Sequence, residues 1–167
     1  YETNSIEVER IPTNLDELVP AVCARFNSRA IAATIKLSVT VAQNIPTAEV
    51  DPNKIEQVVE HFIDRALRHT PEGGSVGVRV TLTPAGGNGE QIEIAVTNSG
   101  TPVPGDEIPL LFDKFKRLLA KQPTREGLGG LRLPLCKKII EAHRGSVAAD
   151  SDGAGGTTVL FRLPVTP

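Results

Sequence analysis

The stretch DPNKIEQVVEHFIDRALRHTPEGG, residues 51–74, decides the architecture of the chain. It opens on Asp51, a good N-cap, with Pro52 at the first helical position, where the missing N–H is one a helix start leaves unpaired anyway. Ile55, Val58, Val59, Phe62, Ile63, Ala66 and Leu67 then recur at helical spacing, and His69-Thr70-Pro71 stops the run before Gly73 and Gly74. The pattern predicts a long helix with a single apolar face.

The flanking sequence supplies the sheet for that face. Downstream, Val76, Val78, Val80 and Leu82 alternate, residues 84–90 form a Gly-rich turn, and Ile92, Ile94 and Val96 alternate back, which predicts an antiparallel pair. Upstream, residues 6–11 read as a strand, and Asn14 offers an N-cap to a helix from Leu15 to Ala30. Residues 34–41 form a strand with Ile35, Leu37, Val39 and Val41 on one face, and a short strand lies near Val50. Periodicity fails over residues 98–130, with five Gly and four Pro, except for a brief helical patch at 108–119; a loop this long is usually functional or mobile. Leu131 to His143 restores a helical stripe, Gly145 reads as a C′ glycine, and residues 146–150 and 157–163 close as a hairpin over 153–156. The fold class is α/β, a two-layer sandwich in which helices cover one side of a mixed sheet.

Composition narrows the function classes. The 167 residues suit one globular domain with a full core. No apolar run approaches the ~20 residues that cross a bilayer, and the N-terminus lacks signal-peptide order, so a soluble piece without direct membrane contact is expected. Eighteen basic against twenty acidic residues, with no basic block, argue against nucleic acid as a partner, and five Phe, one Tyr and no Trp leave little for base stacking. Cys23 and Cys136 have no metal spacing and read as buried thiols in a reducing compartment.

Five segments in order carry a family resemblance: Asp51 to Val59, Ala66 to Gly74, Val96 to Pro104, Leu111 to Arg117 and Leu135 to Gly145. Together they resemble the catalytic ATP-binding domain of bacterial sensor histidine kinases, over nearly the whole chain. The resemblance implies the Bergerat fold, a mixed sheet of about five strands under three helices with a mobile lid, and ATP between the second helix, the central loop and the third helix. Residues 1–12 would end a linker and supply the first strand, and residues 13–167 would form the ATP-binding domain. The implied partners are the dimerisation and histidine-phosphotransfer helices of a parent protein and a response-regulator receiver domain. The implied location is cytoplasmic, within a parent that is free to be membrane-anchored. None of His61, His69 and His143 fits a phosphoacceptor, so any acceptor helix precedes Tyr1; His143 reads as a helix-terminal packing residue.

The departures matter most. The family's N box reads N-L-L-x-N-A, with two amide oxygens for Mg²⁺ and phosphate; here the positions read His61-Phe62-Ile63-Asp64-Arg65-Ala66. A guanidinium has five donors and no acceptor, so Arg65 cannot ligate magnesium, and no metal residue is assigned. His61 reads as a helix residue at the pocket edge. Asp64 reads as a solvated helix residue, with a shifted carboxylate holding a weak metal site as the alternative. The segment written G-x-G-L-G-L in the family becomes Leu128-Gly129-Gly130-Leu131-Arg132-Leu133, with side chains where glycines admit the triphosphate. Arg65 and Arg132 are expected on helix faces looking into the cleft, where their charges stay wet, and Arg65→Asn is expected to leave stability nearly unchanged.

Two readings follow. The first is a catalytically inactive pseudokinase used as a regulatory or docking module in two-component signalling, with no cofactor and with Phe112 and Phe115 as lid and partner contacts. The second is an active or nucleotide-binding domain with a rearranged magnesium site, holding ATP with or without Mg²⁺; between the two stands metal-independent nucleotide sensing, with Arg65, Arg68 and Arg132 as phosphate counter-charges in place of magnesium. The nucleotide residues of the second reading would be His61, Arg65, Arg68, His69, Asn98, Gly100, Val103, Gly129, Gly130, Arg132 and Leu133. Within it, Arg68 matches a phosphate-touching position, His69 an adenine-stacking aromatic, and Asn98 an acceptor for the adenine amino group.

Overall fold

The structure is a computed structural model and describes residues 7–84, 90–100, 132–151 and 156–165. The strands among them are β1 (Ile11–Thr13), β2 (Lys36–Val41), β3 (Ala48–Val50), β4 (Ser75–Pro84), β5 (Glu90–Ser99), β6 (Ser146–Ser151) and β7 (Gly156–Pro164). The helices are α1 (Leu15–Ala24), α2 (Asn27–Ala32), α3 (Pro52–Arg68) and α4 (Arg132–Ala142). A five-stranded sheet has the order β2-β4-β5-β7-β6, and β1 and β3 form a separate antiparallel pair. In the large sheet β2 and β4 run parallel and the other described pairs antiparallel, which makes it mixed, as expected.

Alternation sets the two faces. Val76, Val78 and Val80 of β4, Ile92, Ile94 and Val96 of β5, and Val159, Phe161 and Leu163 of β7 are all buried, and they meet the apolar stripes of α1, α3 and α4. Phe62 of α3 packs edge-on against Phe161, with ring centroids 5.6 Å apart. The other face is polar: Thr97 and Thr158 share a 2.8 Å hydrogen bond there, and Arg162 donates to Glu93 at 2.8 Å. Both cysteines are buried, and burial pushes the Cys23 thiol up to about 11, which makes it a poor nucleophile. Among the described residues no helix is long and apolar enough to cross a membrane.

Asp51 caps α3 as predicted, its Oδ1 accepting from the N–H groups of Asn53 and Lys54 at 3.1 and 3.3 Å. Three local expectations are corrected. The helix expected over Leu15 to Ala30 is two helices, broken at Arg25 and Phe26, and Asn14 makes no side-chain cap. Of the strand expected over 6–11, residue 6 lies outside the described residues and 7–10 are not strand; the first strand is 11–13, the Glu9 N–H being engaged by the Asp51 carboxylate instead of a neighbouring strand. At the end of α4 the left-handed residue is Arg144 (φ 64), not Gly145. The N–H of Gly145 donates to Ile140 and that of Arg144 to Glu141, both at 2.9 Å, which is a Schellman ending with Arg144 at C′. Gly145 is required for another reason: a Cβ there would collide with the Arg162 carbonyl oxygen.

Candidate functional site

Connectivity gathers one end of the sandwich. The C-terminus of α3 turns through residues 69–74 straight into β4, so it lies where β4 begins, β5 ends and β7 begins. The turn is knitted tightly: Gly73 N–H donates to Thr34 O at 2.8 Å, and Ser75 N–H donates to Ser99 Oγ at 2.9 Å. Gly100 has φ 113, and a Cβ on it would stand 2.8 Å from Pro71 and 3.1 Å from the His69 carbonyl oxygen, so this position admits only glycine. α4 ends beside β6, whose first residue pairs with Arg162, so its N-terminal Leu133 lies toward the opposite, α3 C-terminal end.

Asn98 sits in this end wall. It is 2 % exposed and in register with Val76 and Thr157 on the inner face of the sheet. Its Nδ2 donates to the Ser99 carbonyl at 2.9 Å, which fixes the amide's orientation and leaves Oδ1 buried with no hydrogen-bond partner among the described residues. A buried acceptor without a donor costs free energy on its own, so it is suited to a ligand's N–H.

Arg65 is 3 % exposed, which overturns the expectation of a wet guanidinium. The reason is phase: it follows Val58 by about two turns and so falls on the flank of the buried stripe of α3. Asp64 is also corrected from solvated to half-buried and ion-paired. It accepts from Arg29 of α2 and, at 3.0 Å, from Arg68 one turn along α3. Burial alone would raise its carboxyl; the hydrogen bond from Arg29, with the charges of Arg68 and Arg29, outweighs burial and holds it below the usual carboxylate range. Arg25 extends the contact by pairing with Glu56 and Glu60 at 3.2 and 2.8 Å.

Magnesium does not fit this stretch of α3. Where the resemblance requires an amide oxygen there is a buried guanidinium, and the neighbouring carboxylate is engaged by two arginines. Among the described residues no group of three or more His, Cys, Asp or Glu could hold a metal.

The other expected site residues divide. His61 and His69 are half-buried, and Arg68 is exposed apart from its pairing with Asp64. Leu133 is 1 % exposed and belongs to the core. Val103, Phe112, Phe115, Gly129 and Gly130 lie outside the described residues, as does the side chain of Arg132. Sequence reasoning missed Thr157, a buried polar residue on the row of Asn98. Its signal is present in the sequence: it alternates in phase with Val159, Phe161 and Leu163, a polar residue on an apolar row.

Residues 50–167 match the family model of histidine kinase-, DNA gyrase B- and HSP90-like ATPases. The chain belongs to that family. The chain is 30 % identical over 159 residues to the adaptive-response sensory kinase SasA of Nostoc sp., covering 93 % of this chain and 37 % of SasA. To the sensor histidine kinase WalK of Bacillus subtilis it is 34 % identical over 116 residues, 70 % of this chain and 18 % of WalK. The chain thus spans less than half of these curated relatives. Among solved structures, the mycobacterial sensor histidine kinase MprB superposes with a TM-score of 0.76 at 27 % identity, over 94 % of this chain and 99 % of that one. Full-length ShkA in complex with AMPPNP shares the fold, with a TM-score of 0.81 at 22 % identity over 98 % of this chain and 33 % of that one. The chain is therefore a domain of the family that sensor histidine kinases share, with the expected mixed five-stranded sheet.

Proposed function

We propose that this domain has lost magnesium-dependent phosphoryl transfer and acts as a regulatory and docking module in two-component signalling. Arg65 carries the reading: a buried guanidinium on the helix position that the resemblance gives to a metal-ligating amide. Phosphoryl transfer depends on metal to position and neutralise the transferring group, and each tenfold loss in rate is ~1.4 kcal/mol of barrier. The module would sit in the cytoplasm, with residues 1–12 ending a linker from dimerisation helices and residues 13–167 forming the ATPase-like unit. Its partners would be those helices and a receiver domain, met through Phe112 and Phe115, an assignment that rests on sequence alone.

Asn98 favours a second reading in which an adenine nucleotide still binds without turnover. Its buried Oδ1, unpartnered among the described residues, matches the exocyclic amino group of adenine in the resemblance, and Gly100, His69 and Arg68 lie at the same end of the fold. Bound ATP would supply a base for Asn98 and phosphates for the arginines of α3.

The test is radiolabelled ATP with Mg²⁺, the chain, and an acceptor-helix domain supplied in trans. No transfer above a heat-killed control is expected, and magnesium-dependent transfer overturns the proposal. Calorimetry with ATP in Mg²⁺ and in chelator separates the readings: heat in both supports retained nucleotide binding, and heat in neither supports docking alone.

A further inference from the structure

The opposite end of the sandwich holds a buried junction that the proposed function does not use. His143, the residue after α4, is 3 % exposed. Its Nε2 lies 3.0 Å from the backbone nitrogen of Asp51, and its Nδ1 lies 2.8 Å from the Ile139 carbonyl oxygen. A backbone N–H can only donate and a carbonyl can only accept, so Nε2 is the bare acceptor and Nδ1 carries the proton. Asp51 in turn caps α3 with one carboxylate oxygen and accepts the Glu9 N–H with the other at 3.0 Å. Arg10 donates to the Ala142 carbonyl, at the end of α4, at 2.7 Å. Two consecutive residues of the lead-in to β1 are thereby bonded to the start of α3 and the end of α4, and His143 bonds these two helix ends to each other.

We propose that His143 is a positioning residue: its neutral ring joins the lead-in segment, the N-terminus of α3 and the C-terminus of α4 into one junction, through which a displacement of the lead-in is carried along both helices to the end where Arg65, Asn98 and Leu133 lie. Arg65 lies 14 residues, about 21 Å of helix, from Asp51 on α3, so one rigid element spans both ends. The junction stands on the contacts at its own end; only the meaning of the far end rests on the proposed function.

The arrangement is sensitive to acid. Protonation would put a hydrogen on Nε2 facing the Asp51 N–H, two donors in opposition, and the contact would be lost. The charged groups around the ring are Arg10 of the lead-in, Asp51 at the cap of α3, Glu49 of β3 and Arg144 after α4. Burial lowers the ring's pKa; the bond to Ile139 and the Asp51 charge oppose this, and Arg10 adds to it. Because the folded form resists protonation, the unfolded chain binds more protons below the ordinary histidine value of about 6.5, so stability declines as pH falls from there toward the folded pKa.

The experiment is amide exchange and imidazole nitrogen NMR on the whole 167-residue chain, as wild type and as the His143→Gln and His143→Leu variants. In wild type a bare Nε2 and a protected Asp51 amide are expected at neutral pH, with protection falling about tenfold as the ring titrates, and the amides of Arg65, Asn98 and Leu133 shifting along the same curve. A glutamine side chain at this position can accept from Asp51 and donate to Ile139, so His143→Gln should keep protection and abolish the pH step. A leucine side chain can do neither, so His143→Leu should lose protection at all pH values. Asp51 protection that ignores the ring's titration, a glutamine variant behaving like the leucine one, or a silent far end each overturns the proposal. The wild-type titration decides it even where a variant fails to fold. None of these readouts needs nucleotide, so a failure of nucleotide binding leaves them interpretable.

Discussion

The two ends of α3 are built to opposite rules. At the start the polar groups answer one another: Asp51 serves two helix N–H groups and Glu9, and His143 serves Asp51. At the other end a guanidinium is buried at Arg65, Asp64 is neutralised by Arg29 and Arg68, and Asn98 keeps an acceptor without a donor among the described residues. A helix end that serves only the fold satisfies its polar groups internally, whereas a ligand site leaves some for the ligand. The contrast separates the end that holds this domain together from the end that keeps a buried acceptor beside a helix stretch that does not fit magnesium.

Phe62, midway along α3 and edge-on to Phe161, serves both ends, so its loss is the strongest way to break the contrast. Phe62→Ala should cost about 3–5 kcal/mol in denaturant unfolding and loosen both ends together. Arg65→Asn should destabilise by about 2 kcal/mol, since it leaves a void and an amide where a long buried side chain was. Near-zero change in chemical denaturation would return Arg65 to the wet cleft wall expected from the sequence. Asp51→Ala should cost about 1 kcal/mol through the lost cap, with Asp51→Asn retaining much of it. The Glu9 N–H chiefly, with those of Lys54 and Asn53, holds the Asp51 carboxyl below its ordinary value against the opposing effect of burial. Its contribution is therefore present above about pH 3.9 and is lost as pH falls through the depressed value, a step absent from the Asn variant.

Sequence makes the sheet and α3 legible because both rest on short-range periodicity. Val76 to Leu82 and Ile92 to Val96 alternate without interruption, and Asp51-Pro52 is a start signal that needs no tertiary context. The α1/α2 break is not legible, since residues 15–30 keep an apolar pattern across it. His143 is recognisable as packing, yet its partner lies 92 residues away, and no local pattern reports which backbone N–H a ring will face. Arg65 misleads for a related reason: chemistry places it beside phosphates, whereas its burial follows from helical phase with Val58. Asn98 reads as an acceptor in the sequence, but only the fold shows that its Oδ1 is buried and left without a partner among the described residues.

The parallel pairing of β2 with β4 has a consequence for assembly. Lys36 pairs with Ser75, and between them the chain must pass through β3 and the whole of α3. The β4–β5 hairpin closes locally and can zip without help, but β2 has no edge to join until α3 has returned the chain across the sheet. β2 is therefore expected to join the sheet after that hairpin, and in the finished sheet it is the outermost strand, beside β4.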